Sequence, residues 1–243
     1  MCAISQQRHS QIVRVARSIL GQFCAVSLLA IFFASITRAA TVDQIEVVVD
    51  RQIITEIEVE EDIRVTDFLN GTVFDASTES NAVLEQRRAA AERLIDQALI
   101  RQEMALSHYP WVPESAIDQA VEQLRLARGA TAFEATLERN QISLAVLRDH
   151  LALQLTTIRF VAFRFRPELG ISDNDVEDYY RRMSSKWGTE HPNQPVPSFD
   201  SSRTSIRRTL VDERTNQALD DWLRDARQRT SVDYLDPTLQ PVK

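Results

Sequence analysis

Four histidines and two cysteines are the side chains best suited to metal or nucleophilic chemistry, and their spacing serves neither. His9, His108, His150 and His191 stand singly, and none has a ligating partner three or four residues on. No zinc site is therefore expected. Cys2 and Cys24 both fall in the first 24 residues, which excludes a disulfide framework or a cysteine-built zinc site from the rest of the chain. There is no Gly-x-Ser-x-Gly elbow for a nucleophilic serine. There is no glycine-rich phosphate loop either, so no ATP dependence is expected. Asp173-Asn174-Asp175 opens like a calcium loop but lacks the glycine and the distal glutamate. A helix start explains it better, because acids there complement the helix dipole. Arg159, Arg164 and Arg166 interleave with Phe160, Phe163 and Phe165. That pattern suits an anion-binding patch, or cations near a helix C-terminus with aromatics turned to the core. The second reading is preferred, since the rest of the chain is acidic. No catalytic, cofactor-binding or metal-ligating residue is nominated, and the chain is not expected to be an enzyme. His150 reads as a helix-surface or partly buried residue.

The chain has 243 residues with a formal net charge of −7, and its 28 cations are almost all arginine. With 44% hydrophobic and 26% charged residues it reads as globular. Only 5 glycines occur, against an average usage of roughly 7%. Sheet-rich folds spend glycine on turns and bulges, so the scarcity favours helices. The first forty residues carry Arg8, Arg14 and Arg17, then an uncharged stretch from Ser18 to Thr37, then Thr37-Arg38-Ala39-Ala40. A basic start, an apolar middle and small residues at the end mark residues 1–39 as a secretory signal, with cleavage expected after Ala39. Left uncleaved, the same stretch is just long enough to anchor the chain in a bilayer. Gly21-Gln22-Phe23 before Cys24 makes a poor lipobox, which rejects a lipoprotein. Cleavage takes away four arginines and no acid, so the 28 cations fall to 24 against 35 anions, a net −11. Such a surface repels phosphate backbones and argues against nucleic acid as a partner.

The elements follow from periodicity and caps. Val42 to Ile54 is extended: Ile45 to Val49 and Gln52 to Ile54 flank Asp50-Arg51, a hairpin in which Arg51 stands where glycine would ease the turn. Thr55 and Glu58 form a capping box for a helix from Glu56 to about Leu69, stopped by Asn70-Gly71. Asn70-Gly71-Thr72 also matches the glycosylation sequon, but the helix stop takes precedence. Asn81 to Ser107 is one amphipathic helix with Leu84, Ala91, Leu94, Ile95, Ala98 and Leu99 on its apolar side. Pro113 opens the next helix, striped by Ile117, Val121 and Leu124 and ended by Gly129. Thr131 and Glu134 are expected to cap a short helix carrying Phe133 and Leu137. Ser143 starts a long helix with Leu144, Leu147, Leu151, Leu155, Ile158, Ala162 and Phe165 at helical spacing, stopped by Pro167. Ser172 and Asp175 cap another through Tyr179 and Tyr180. Gly188, Pro192, Pro195 and Pro197 mark 184–199 as a Pro-rich linker or loop. Ser201 to Thr230 is a final helix with Ile206, Leu210, Ala218, Trp222 and Ala226, and Val232 to Leu235 alternates as a short strand. A lone strand must pair, so the two ends are expected to meet in one small sheet. The organisation is thus a helical domain over 40–183, the linker, a helix and strand over 200–236 completing the same core, and a tail over 237–243.

Several words in this order resemble the N-terminal domain of the SurA-type periplasmic chaperones. They are Val42-Asp43-Gln44-Ile45-Glu46-Val47-Val48-Val49-Asp50 with Ile53-Ile54-Thr55, and Arg93-Leu94-Ile95-Asp96-Gln97-Ala98-Leu99-Ile100-Arg101-Gln102-Glu103. Ile117 to Leu124, Phe133, Leu137 and Leu144 to Leu155 follow, then Ile171-Ser172-Asp173-Asn174-Asp175-Val176-Glu177-Asp178-Tyr179-Tyr180. The resemblance covers roughly residues 42–235 and rests on hydrophobic patterns rather than catalytic signatures. It implies a mostly α chaperone core with a small sheet made by the N-terminal hairpin and a C-terminal strand. The function it implies is ATP-independent holding of unfolded exported polypeptides in the periplasm, outer-membrane protein precursors among them. The family inserts one or two parvulin-type prolyl isomerase domains after the Tyr-Tyr helix. Here only Met183 to Phe199 occupies that interval, too short for a domain of at least about 50 residues. The competing function class is a non-catalytic structural or assembly partner in the envelope that reuses the fold. The client-contacting residues and the oligomeric state stay unassigned. Trp111, Trp187 and Trp222 read as core or loop packing, with Trp187 the one best placed to touch a client.

Overall fold

A computed structural model describes residues 43–72, 80–166, 169–192 and 194–241. The expected signal at 1–39, Val42 and the Pro167 helix stop lie outside the described residues. The described chain is mostly α: a three-stranded antiparallel sheet closes one end of a set of seven helices. Strand β1 (Ile45–Val49) and strand β2 (Gln52–Thr55) form the hairpin, and β3 (Val232–Tyr234) pairs with the other edge of β1, giving the order β2-β1-β3. Val47 lies opposite both Ile54 and Tyr234, so one register row puts three core side chains on one face. The expected pairing of the two chain ends is present. The hairpin turn takes its positive φ at Asp50 (53°) rather than at Arg51, and the Asp50 N–H donates to the Ser231 carbonyl at 2.9 Å. Aspartate tolerates that backbone region better than most residues, so no glycine is required.

Helix α1 (Glu56–Asn70) starts on the Thr55–Glu58 capping box and stops at Gly71, whose φ of 75° is the left-handed conformation glycine adopts without strain. Helix α2 (Ser80–Leu106) has 27 residues, a length of about 40 Å. It is long because it serves three neighbours in turn. Its middle packs Ala90, Ala91, Ile95, Ala98 and Leu99 on the sheet and α1, while Ile100 and Met104 lie against the fifth helix. Helices α3 (Glu114–Arg128) and α4 (Ala130–Arg139) meet at Gly129, and α5 (Leu144–Phe165) follows on a Ser143 cap. Phe68, Phe133, Leu147 and Val121 centre a second core among α1, α3, α4 and α5, where Phe68 and Phe133 meet edge to face at 5.6 Å. The described residues contain no helix long and apolar enough to cross a membrane.

Three expectations need correction. Thr131 and Glu134 do not cap α4: its first residue is Ala130, Gly129 occupies the cap position without a side-chain bond, and Glu134 instead pairs with Arg125 of α3 at 2.9 Å. The break expected over 184–199 begins only after α6 (Asp173–Glu190), because Gly188 is tolerated inside an exposed helix. The expected tail over 237–243 begins with packed residues rather than only following the core. Pro237–Leu239 makes a 3-10 turn capped by Asp236, and Leu239 is completely buried beside Val47 and Ala91.

Helix α7 (Phe199–Arg229) ties these parts together. Its C-terminal half places Trp222, Leu223 and Ala226 against the sheet-end core, as the final helix was expected to do. Its N-terminal half pairs with α6 instead: Ile206 and Leu210 close on Val176, with Tyr179, Tyr180 and Phe199 around them. Charges lock both ends. Arg227 binds Glu92 and Asp96 of α2, each at 2.6 Å, and the Tyr234 hydroxyl donates to Glu92 at 2.5 Å. At the other end Arg203, Arg207 and Arg214 hold Asp173 and Asp175 at 2.6–2.8 Å. Asp173-Asn174-Asp175 is thus a helix start, with Asp175 completing a capping box to Ser172. Those Ser172 bonds, helped by Arg214, hold the Asp175 carboxyl down at about 2.

Candidate functional site

The Thr55–Glu58 cap fixes the phase of α1, and that phase lines up Glu58, Glu61, Asp62, Val65, Thr66 and Leu69 along one side. Arg93, Gln97 and Arg101 make the matching row on α2, spaced four residues apart. On α5 the row is Val146, Asp149, His150, Leu153, Gln154 and Thr157. The three rows enclose an open groove made of two adjoining cavities of about 510 and 340 Å³ that share Asp62, Gln97, His150 and Leu153. Trp111, from the loop before α3, stands at the wide end and is 57% exposed. Ile158 stands at the narrow end and is 58% exposed.

The seam between the cavities is held by an ion pair whose carboxylate is buried and whose guanidinium is partly exposed. Asp62 is buried and accepts from Arg93 Nε at 3.0 Å and Nη2 at 2.5 Å, and Arg93 also reaches Thr66 Oγ1 at 3.5 Å. A buried carboxylate needs such pairing, because its desolvation is otherwise uncompensated. His150 lies beside this pair. Burial pushes its imidazole below the ordinary histidine value; the Asp62 charge pulls it up and the Arg93 charge pushes it down. The ring is therefore neutral at pH 7. Asp62 already engages Arg93, so the lining offers a neutral imidazole, carboxylates, one aromatic face and aliphatic walls. That equipment suits holding a chain segment.

The two ends of the groove differ. The wide end carries Glu58, Glu61 and Asp149 around Trp111, with Arg101 the one cation there. The narrow end carries Leu69 and Ile158 with Thr66, Asn70, Gln154 and Thr157, and its two charges, Asp62 and Arg93, pair with each other. Aliphatic side chains line both cavities, whereas the acids in excess of cations gather at the wide end.

The structure gathers few of the residues singled out by sequence. Of the tryptophans, Trp222 packs as expected, at 6.4 Å from the Phe165 ring. Trp111 does not pack in a core but stands exposed at the groove. Trp187 lies on α6, half-buried, stacked on His191 at 4.0 Å and donating to the Gln194 carbonyl. His108 lies in the turn just after α2 with a positive φ of 52°. Phe160 and Phe165 face the core, but Phe163 is 62% exposed, tilted against Tyr109 at 5.3 Å. Among the arginines between them, Arg166 pairs with Asp212 and Arg164 lies over the Phe165 ring. Leu144 and Ile158, expected on the apolar stripe of α5, are exposed as well, because the buried line drifts to Thr156, Phe160 and Val161 along this helix. Among the described residues no cluster of three histidine, cysteine, aspartate or glutamate side chains is placed to hold a metal ion.

Which residues line the groove was not readable from sequence. Its parts lie on three helices, 58–69, 93–101 and 146–158, and nothing local joins them. No protein-family model matches the chain, and no curated protein matches it.

Proposed function

We propose that this chain is an ATP-independent holding chaperone of the periplasm that shields segments of unfolded exported polypeptides, outer-membrane protein precursors among them. One observation carries the reading: an open groove between α1, α2 and α5 with Trp111 and Ile158 left exposed at its two ends. Exposed apolar side chains along a groove have a binding use more often than a packing one. The element order, hairpin to long helices to a final helix and a returning strand, supports the resemblance to the SurA-type chaperone core. The interval between Tyr180 and Ile206 holds the end of α6 and a short Pro-rich loop, which supports a reading without isomerase activity. A protease-coupled peptide assay should accordingly find the spontaneous prolyl rate, intrinsically a process of tens of seconds.

The test is suppression of aggregation. The mature chain, mixed with a denatured outer-membrane barrel protein on dilution, should lower light scattering without ATP. Trp111→Ala combined with Ile158→Ser should weaken that effect while leaving the melting temperature near that of the parent, since both side chains are exposed. Unchanged scattering in the presence of the parent chain would sink the reading. The competing reading, an assembly partner in the envelope, draws on another surface: Ile45, Ile53 and Leu235 are exposed beside the sheet. A chain that shields no denatured protein leaves that reading standing.

A further inference from the structure

We infer that the groove selects extended segments that combine a cationic side chain with neighbouring apolar ones, the cation seated at the Trp111 end. The inference rests on the chaperone reading and adds the class of segment. Four carboxylates face two guanidiniums around the joined cavities: Glu58, Glu61, Asp62 and Asp149 against Arg93 and Arg101. Arg93 is already engaged by Asp62 at 2.5 Å, which leaves three acids against Arg101 at the wide end. The lining there is net negative, and His150 adds no opposing charge because burial keeps its ring neutral.

Charge alone would admit any cation, including a free ion. Trp111 narrows the choice, since an exposed indole face attracts a lysine ammonium or a guanidinium among acids. The aliphatic lining narrows it again. Val65, Leu94 and Val146 in one cavity, Leu69 and Ile158 in the other and Leu153 in both offer apolar wall, so the residues beside the cation should be apolar. The two cavities adjoin in a line, which fits an extended segment better than a compact ligand.

The test uses the mature chain and three fluorescein-labelled peptides. They share one apolar sequence and differ only in a central pair: two lysines, two glutamines or two glutamates. Anisotropy titrations should show the lysine peptide binding about tenfold more tightly than the glutamate peptide, with glutamine between. Higher salt should narrow the gap, because exposed charges are screened. Asp149→Lys, on an exposed helix surface, should abolish the preference, and Glu61→Gln should reduce it. Trp111→Ala should weaken the lysine peptide more than the glutamine one. Asp220→Lys makes the same charge change on α7, away from the groove, and should leave the ratio as it was. Equal binding of the three peptides, or no binding of any, overturns the inference. So does an equal loss in Asp149→Lys and Asp220→Lys, which would assign the preference to the overall acidic charge. The chaperone reading fails separately: a chain that suppresses aggregation yet binds all three peptides alike keeps that reading and loses this one.

Discussion

The sheet end and the α6–α7 arm are both closed by the same helix, yet they are held by different physics. At the sheet end, Val47, Val49, Ile54, Val59, Ile95, Ala226 and Leu239 are all buried in one core drawn from six elements, with β3 packed against it. Polar groups are buried there too. Glu46 is 1% exposed and pairs with Arg87, and burial pushes its carboxyl up against the pull of that guanidinium. The Tyr234 phenol is pushed up in the same way, by burial first and then by Glu92. The arm buries only Val176, Ile206 and Leu210 in its own core and relies on solvent-exposed pairs from Arg203, Arg207 and Arg214 to the head of α6. Exposed pairs contribute little and weaken in salt. A region closed by burial from many elements should unfold with the whole, whereas one closed by a few side chains and surface charges should open by itself.

The largest test of that contrast removes α7 and everything after it. A chain ending at Ser198 loses Trp222, Leu223, Ala226, β3 and Leu239 from the sheet-end core together with the arm's partner helix. Burial of side chains of this size contributes roughly 1.5–3 kcal/mol each, a large share of a domain's stability. The truncated chain should be poorly soluble or molten, while the untruncated chain melts cooperatively by calorimetry. A truncated chain that melts as sharply, at the same temperature, would mean that α7 is an appendage.

Single substitutions divide the regions more finely. Leu239→Ala at the sheet end and Ile206→Ala in the arm delete similar volumes from buried sites, 0% and 2% exposed. Each should cost about 2–5 kcal/mol where it acts. Leu239→Ala should lower the global denaturation midpoint, whereas Ile206→Ala should speed hydrogen exchange in α6 and leave β1 protected. Equal loss of protection in β1 from both would make the molecule one cooperative unit and end the contrast.

The caps make a milder pair, and they bear on what was legible in sequence. Thr55–Glu58 and Ser172–Asp175 are the same device heading α1 and α6, and both were readable because a cap and its partner lie three residues apart. Thr55→Ala should cost about 0.5–2 kcal/mol globally. Ser172→Ala should register only as faster exchange in the first turn of α6. The failures are instructive for the opposite reason. Thr131 and Glu134 have the spacing of a capping box, but Glu134 is drawn off by Arg125 on another helix. Leu239 sits alone in a short tail with no periodicity to mark it, and its burial depends on the pairing of β3 with β1. The sheet was legible because only two segments were strand-like and each needed a partner. The groove was not, since its rows on α1, α2 and α5 become neighbours only through tertiary packing. Trp111 shows the cost: in sequence an indole between two prolines reads as loop packing, and only the placement of α1 and α5 turns it into a groove wall.

The smallest expected effect belongs to His150, where the groove itself makes the stability of the fold depend on pH. Burial holds the folded-state value below the ordinary value of 6.5. As pH falls through about 6.5, the unfolded chain takes up a proton at this ring before the folded chain does. The unfolded state therefore gains, and stability declines with falling pH until the folded ring is protonated too; above that window His150 contributes no slope. Asp62 and Arg93 are the charged groups that face it. One proton cannot give a slope steeper than about 1.4 kcal/mol per pH unit. His150→Gln should flatten that part of the curve. Denaturation midpoints measured from pH 7.5 down to 5 in the two proteins decide the matter. If the parent and His150→Gln run parallel, burial in the groove is not what perturbs this histidine. If the slope vanishes in His150→Gln alone, the groove between α1, α2 and α5 is closed enough around its seam to exclude water from one ring, though both its ends stand open.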